Sequence, residues 1–333
     1  MKYTKFFWYF MVFSLLFATA CNKDDDETPD PAINEAEVLA GYLESADSPL
    51  GKDFVSTDMP TIMKATDVKT LNATGEVYII DIRSADDFNL GHIENAVNVT
   101  LGGILDHIEG VDLSGYQKVA IVCYTGQTAG FAASILRIMG YDKVFSMKWG
   151  MCSWHEDFAG KWNSNIGNGH VGDFTADATP KGAAGNMPSL STGKTTGQEI
   201  LEARVAAVLA EGFSPAAISN TAVFADLAGH YIVNYWSEAH YSDPGHIPGA
   251  MQYTPKESMN LAADLKTLPT DKPVVVYCYT GQTSAFLSAY LRILGYDAKS
   301  LLFGTNGMIY DKMAEMELTV FNADQIMGYD YVN

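Results

Sequence analysis

The chain has 333 residues, 47% hydrophobic and 12% aromatic, which is enough to bury two ordinary cores and excludes disorder of the whole chain. Lys and Arg number 21 against 40 Asp and Glu, a formal charge of −19, so phosphate backbones and anionic lipid surfaces repel the protein and nucleic-acid binding is not expected. Four cysteines, none paired at C-x-x-C spacing, are too few for a disulfide scaffold and leave a structural zinc site without visible ligands, so neither a metal nor a cofactor is expected.

Residues 1–20 form a targeting segment: Lys2 and Lys5 give a positive start, and an apolar run over 6–17, interrupted only by Ser14, is too short for a permanent span. Ala18-Thr19-Ala20-Cys21 resembles the lipobox of bacterial lipoproteins, which implies cleavage before Cys21 and acylation of its thiol. The plainer alternative is a secretory signal followed by a chance Cys. Residues 21–33 read as an acidic, extended tether, and Lys23-Asp24-Asp25-Asp26 behind such a Cys resembles the surface-export tag of Bacteroidota lipoproteins. These features imply a place in the cell envelope, lipid-anchored to the outer membrane, with two orientations left open, the periplasmic face and the cell surface. Outside the cytoplasm free thiols meet oxidants, so a working Cys there needs a protected loop or a reducing partner protein.

Helices are expected at Glu35–Leu43 and 198–210, and short apolar runs at 77–80, Lys118–Val122, 231–233 and 273–277 read as buried parallel strands. The chain repeats itself: Cys123-Tyr124-Thr125-Gly126-Gln127-Thr128 returns as Cys278-Tyr279-Thr280-Gly281-Gln282-Thr283. Helical patterns at 129–139 and 284–294 follow these hexapeptides and stop at Gly140 and Gly295. The expected organisation is a first α/β domain at 34–162, a Gly-, Asn-, Ser- and Thr-rich linker at 163–196, and a second α/β domain at 197–333.

A Cys at the end of a parallel strand, followed by a tight loop and a helix start, faces converging backbone N–H groups and the positive end of a helix dipole. That placement lowers a thiol to roughly pH 3.5–7.5 and makes it nucleophilic. Gly126 and Gly281 let the loop turn tightly with its amides inward, and the same cradle would hold a persulfide anion.

Both copies resemble rhodanese domains, the family that moves sulfane sulfur through a Cys persulfide. In the first, Asp81-Ile82-Arg83, Gly91-His92-Ile93, the Cys123 loop and Lys148-Trp149-Gly150-Met151 carry the resemblance; in the second, Gly245-His246-Ile247, the Cys278 loop and Asn306-Gly307-Met308 do. The resemblance implies two tandem rhodanese-like domains, each a parallel sheet flanked by helices. It implies Cys123 and Cys278 as catalytic thiols, with Tyr124, Thr125, Gly126, Gln127 and Thr128, and Tyr279, Thr280, Gly281, Gln282 and Thr283, as the persulfide cradles. Asp81 and Arg83 support the first loop. Partners are small sulfur donors and thiophilic acceptors, and the membrane through the anchor.

Departures sharpen the expectation. Asn234-Tyr235-Trp236 replaces Asp-x-Arg in the second copy, so Cys123 is expected to titrate lower than Cys278. Neither loop carries the Arg or Lys that many relatives use to attract thiosulfate. His92 and His246 read as hydrogen-bonded structural residues, and Cys152, aligned with Ile309 through Gly150-Met151 and Gly307-Met308, as core. A Cys-dependent phosphatase would need an Arg where Ala129 and Ser284 stand. Two functions from different classes follow: a sulfurtransferase, or a lipid-anchored binding module that uses the fold without catalysis.

Overall fold

Val77–Asp81 and Lys118–Val122 lie side by side, Val77 opposite Lys118 and Asp81 opposite Val122. Their β-branched side chains suit a pleated sheet covered on both faces. The computed structural model describes residues 33–333; the targeting segment, Cys21 and the tether up to residue 32 lie outside the described residues. In the first copy β1 (Ile62–Met63), β2 (Val77–Asp81), β3 (Val97–Asn98), β4 (Lys118–Val122) and β5 (Val144–Met147) form a parallel sheet in the order β1-β5-β4-β2-β3. The second copy repeats it with β6 (Ala217–Ile218), β7 (Tyr231–Asn234), β8 (Met251–Gln252), β9 (Val274–Tyr277) and β10 (Ala298–Leu301), in the order β6-β10-β9-β7-β8. The expected α/β class with two parallel sheets flanked by helices is what the chain forms.

The helices that follow the two Cys loops, Gln127–Ile138 and Gln282–Ile293, pack on each other. They approach closely because small residues face the partner: a Cβ added to Gly130 would lie 3.0 Å from the Gln282 carbonyl oxygen, and Ser134 Oγ donates to the Phe286 carbonyl at 2.9 Å. One core therefore runs through both copies, joining Ile80, Ile121 and Phe131 to Val233, Val276 and Phe286. Burying that apolar surface contributes about 25 cal/mol per Å², so the two copies stabilise each other as well as themselves.

The connections bind them further. Asn34 accepts from Glu37 N–H and opens the Glu35–Leu43 helix, which packs on Gly197–Glu211 of the second copy. The 164–196 segment lies on the second copy, with Gly167 N–H on the Asn306 carbonyl at 2.9 Å and Gly185 N–H on that of Lys266 at 2.7 Å. Residues 327–332, which belong to the second copy by sequence, run along the first: Met327 N–H reaches the Ser153 carbonyl and Val332 N–H that of His92, both at 2.9 Å.

Candidate active site

Strand β4 ends at Val122, and the chain turns through Cys123 to Gly126 before the helix begins at Gln127. Gly126 takes φ +84°, a left-handed conformation that costs a side-chain-bearing residue energy, and it aims the following amides at the sulfur. Cys123 Sγ accepts from the N–H groups of Gly126 at 3.1 Å and Ala129 at 3.3 Å. In the second copy Gly281 repeats the turn at φ +78°, and Ser284 N–H donates to Cys278 Sγ at 3.3 Å. The cradle is thus made in part by Ala129 and Ser284, which sequence reading set aside, while the Tyr124 ring turns outward beneath Lys161 Nζ at 3.8 Å. Thr125 Oγ1 accepts from Gln127 Nε2 at 3.1 Å and its carbonyl from Trp162 Nε1 at 3.1 Å. Thr128 and Thr283 are half-buried in the first turns of their helices, and Thr280 Oγ1 accepts from Gln282 N–H at 3.2 Å.

Asp81 and Arg83 grip each other, Nη2 to Oδ2 at 2.6 Å, and Arg83 also donates to the Gly91 carbonyl at 2.7 Å. In the second copy Asn234 Nδ2 donates to Tyr277 Oη at 2.8 Å, and Tyr277 Oη accepts from Ile247 N–H at 3.2 Å. Asn234 stands at the place of Asp81, Tyr277 at that of Val122 and the buried Trp236 at that of Arg83, so the second copy has a neutral Asn–Tyr hydrogen bond where the first has the ion pair. Tyr279 hydrogen-bonds His240 Nδ1, and burial pushes its hydroxyl up to about 12.

The two glutamines do something that was not foreseen. Gln127 Oε1 accepts from Phe303 N–H at 2.8 Å, and Gln282 Oε1 accepts from Trp149 N–H at 3.1 Å. Each therefore leaves its own thiol and holds the turn that closes the other copy's loop. That turn holds the loop in its place: Met151 N–H reaches the Cys123 carbonyl at 2.9 Å, and Thr305 N–H the Cys278 carbonyl at 3.1 Å. The match corrects the sequence alignment, because Gly150 corresponds to Gly304, and Cys152 to Asn306 rather than Ile309. Cys152 N–H and Asn306 N–H make the same bond, to the Tyr124 and Tyr279 carbonyls at 3.1 and 3.2 Å.

The expected lowered thiol is overturned at Cys123. Cys123 is 4% exposed, and burial pushes its thiol above the ordinary range. The N–H groups of Ala129, Thr125 and Gly126 offset part of that rise, and the Asp81 carboxylate adds to it. Asp81 therefore acts on Cys123 against the direction expected of it. Cys152 is fully buried, donates to the Phe158 carbonyl at 3.0 Å and is pushed up to about 12 by burial, consistent with a core residue. His92 stacks on Phe88, and fully buried His246 bonds the Tyr241 carbonyl at 2.8 Å, so neither acts on a thiol.

Among known proteins, the family model described as the rhodanese-like domain matches residues 64–157 and 225–308. Thiosulfate sulfurtransferase GlpE of Shewanella oneidensis is 36% identical over 80 residues, covering 24% of this chain and 77% of that protein. Its counterpart in Vibrio cholerae is 30% identical over 80 residues, covering 24% of this chain and 74% of that protein. A crystal structure of a rhodanese-related protein from Thermoplasma volcanium matches 29% of this chain and 92% of that chain at 20% identity, with a TM-score of 0.26.

Proposed function

This chain belongs to the rhodanese-like domain family, and from that premise we propose that it is a sulfurtransferase carrying sulfane sulfur as persulfides on Cys123 and Cys278. The observation that carries the reading is the pair of amide cradles, two N–H groups on Cys123 Sγ and one on Cys278 Sγ, each at the end of a parallel strand. Curated relatives named thiosulfate sulfurtransferases support it. In the reaction the thiol proton passes to solvent and the thiolate attacks the outer sulfur of a donor. The Sγ–S bond forms as the donor's S–S bond breaks, and the leaving group, sulfite when the donor is thiosulfate, takes the electron pair. A thiol, sulfide or cyanide acceptor then attacks the terminal sulfur and returns the thiolate. The cradle stabilises the negative charge at both stages.

The test uses a soluble form lacking residues 1–21. Incubation with thiosulfate or a low-molecular-weight persulfide after reduction, followed by peptide mass spectrometry, should find one added sulfur on Cys123 and one on Cys278, and none on Cys152. Cys123→Ser and Cys278→Ser should each lose their own adduct. The second reading, a binding module, is favoured by the burial of both thiols, each 4% exposed, and it takes over if no donor loads either loop.

The proposal includes the location read from the N-terminus: the cell envelope, anchored to the outer membrane by a lipid on Cys21. Metabolic labelling with a palmitate analogue should mark the wild type and not Cys21→Ser. Label that persists in the variant removes this part of the proposal and leaves the chemistry standing.

A further inference from the structure

The cleft beside Cys278 is built by both copies. It encloses about 300 Å³, and its walls join Cys278, Tyr279 and Thr283 of the second copy to Met63, Lys64 and Lys148 of the first. Lys64 follows β1 and Lys148 follows β5, adjacent strands in which Met63 pairs with Met147 and Lys148 N–H bonds the Met63 carbonyl at 2.8 Å. Both lysines thus line one cleft with the thiol, and the Lys148 ammonium lies 5.0 Å from the centre of the Trp149 ring, at the border with an adjoining cleft that both lysines also line. Asp324 and Glu317 line adjoining clefts, and the Asp67 carboxylate accepts from the Lys64 backbone N–H at 3.1 Å. Among the described residues, however, no carboxylate comes within ion-pair distance of either ammonium. Burial, and secondarily the charge of Lys64, pushes Lys148 below the ordinary lysine range. A small anion in the cleft would relieve that repulsion.

Among the described residues, no lysine pair stands at the equivalent places beside the first thiol. Strand register makes Ser219 the counterpart of Lys64 and Leu302 that of Lys148, with Leu302 N–H bonding the Ile218 carbonyl at 2.9 Å just as Lys148 bonds Met63. The cations near the Cys123 loop are Lys161, over the Tyr124 ring, and Arg83, which is held by Asp81.

We propose that Lys64 and Lys148 of the first copy form the anion subsite of Cys278, so that the second thiol draws sulfur from small anionic donors across the junction of the two copies. The subsite supplies from one copy the charge that the other copy's neutral loop lacks. The proposal rests on the sulfurtransferase reading for its chemistry, but anion binding can be measured without transfer.

In the soluble form, thiosulfate loading of Cys278 should need about tenfold more donor in Lys64→Ala and in Lys148→Ala, the loss of one charge-assisted contact each. Loading of Cys123 should be unchanged in both. With dimethyl trisulfide, an uncharged reagent whose displacement leaves a methyl di- or trisulfide on the Cys and releases methyl persulfide or methanethiolate, Cys278 should be modified equally in wild type and variants, and Lys148→Arg should retain most of the thiosulfate response. Lysine variants that leave the Cys278 titration unmoved, or that shift Cys123 equally, overturn the subsite. A second measurement separates this from failure of transfer: sulfite, which donates no sulfur, should protect Cys278 of the wild type from iodoacetamide and should not protect the double lysine variant. If sulfite protects neither form, the subsite is wrong. If it protects the wild type alone while no donor loads the thiol, the subsite stands and the sulfurtransferase reading falls.

Discussion

Gly304→Ala should slow sulfur loading at Cys278 about 100-fold while the chain stays folded. A Cβ at this position would lie 2.2 Å from the Cys278 carbonyl oxygen, 2.7 Å from the Tyr279 carbonyl carbon and 2.8 Å from the Thr280 nitrogen. All three are backbone atoms, so no side chain can rotate away, and the residue also sits at φ +53°, where only glycine is free of strain. The turn must therefore move off the loop, which breaks the Thr305 and Asn306 bonds to the Cys278 and Tyr279 carbonyls at 3.1 and 3.2 Å. A displacement of about 1 Å in a positioned nucleophile can cost a factor of about 100. Gly150→Ala should do the same to Cys123, because there the Cβ would meet the Cys123 carbonyl oxygen at 2.4 Å and the Gly126 nitrogen at 2.6 Å. Peptide mass spectrometry after thiosulfate treatment, beside thermal melts, reads both effects. Normal loading in a folded Gly304→Ala protein would show that this turn does not hold the loop. The clasp adds a cross-term: because Gln127 holds Phe303, the first copy's loop is linked to the turn that Gly304 opens.

The parts of the fold that bury their own side chains were legible in the sequence. Lys118–Val122 and Glu35–Leu43 fall where the apolar runs put them, and the loop helices begin at Gln127 and Gln282, two residues before their patterns, because Gly126 and Gly281 supply the left-handed turn. Strands β1, β3, β6 and β8 are two residues long, too short to carry any period, and only the sheet that recruits them makes them strands. The thiols and their cradles were visible because they are local to one strand, loop and helix.

What the sequence could not show depends on how the copies dock. Gln127 and Gln282 read as members of their own loops, and nothing in their spacing says that their side chains cross to Phe303 and Trp149. Lys64 and Lys148 stand far from Cys278 in the chain, and a net charge of −19 conceals a local positive pair. The repeat hides the difference as well: aligning Gly150 with Gly307 sets Lys148-Trp149 against Thr305-Asn306, and only the structural match of Gly150 with Gly304 sets Lys148 against Leu302. The direction of the Cys123 shift was missed for a different reason. Counting N–H donors gave the stabilising part, whereas the larger contribution is the burial of the sulfur, which only the packed structure reveals.

Asp58→Ala should cost about 3–5 kcal/mol of stability at neutral pH, the range for removing one partner of a buried ion pair. Asp58 ends the Phe54–Asp58 helix and Arg137 lies in the last turn of the Cys123 helix, with Nη2 on Oδ1 at 2.5 Å, Nε on Oδ2, and Lys52 Nζ on Oδ1 at 2.8 Å. Both Asp58 and Arg137 are buried, so truncating the carboxylate leaves a guanidinium whose remaining bonds go only to the Asp142 and Val144 carbonyls. Burial alone would raise the Asp58 carboxyl, but the hydrogen bonds and charges of Arg137 and Lys52 outweigh it and hold the group below its ordinary value. A carboxyl lowered by folding contributes stability that is present above its unfolded pKa of about 3.9 and is lost as the pH falls through the folded value. The gap between wild type and Asp58→Ala in urea unfolding should therefore be full at pH 7 and narrow below about pH 4. A gap that stays constant down to pH 2, or that is under about 1 kcal/mol at pH 7, would count against the pair as a fastening of this helix. The second copy supplies the control. Arg292 occupies the same place in the repeat, but its partners Glu211 and Asp297 are 43% and 53% exposed, so Glu211→Ala should cost only about 0–1 kcal/mol. Replacing Asp58 and Arg137 together by Leu and Met should restore much of the loss, because a buried pair removed whole leaves no orphaned charge.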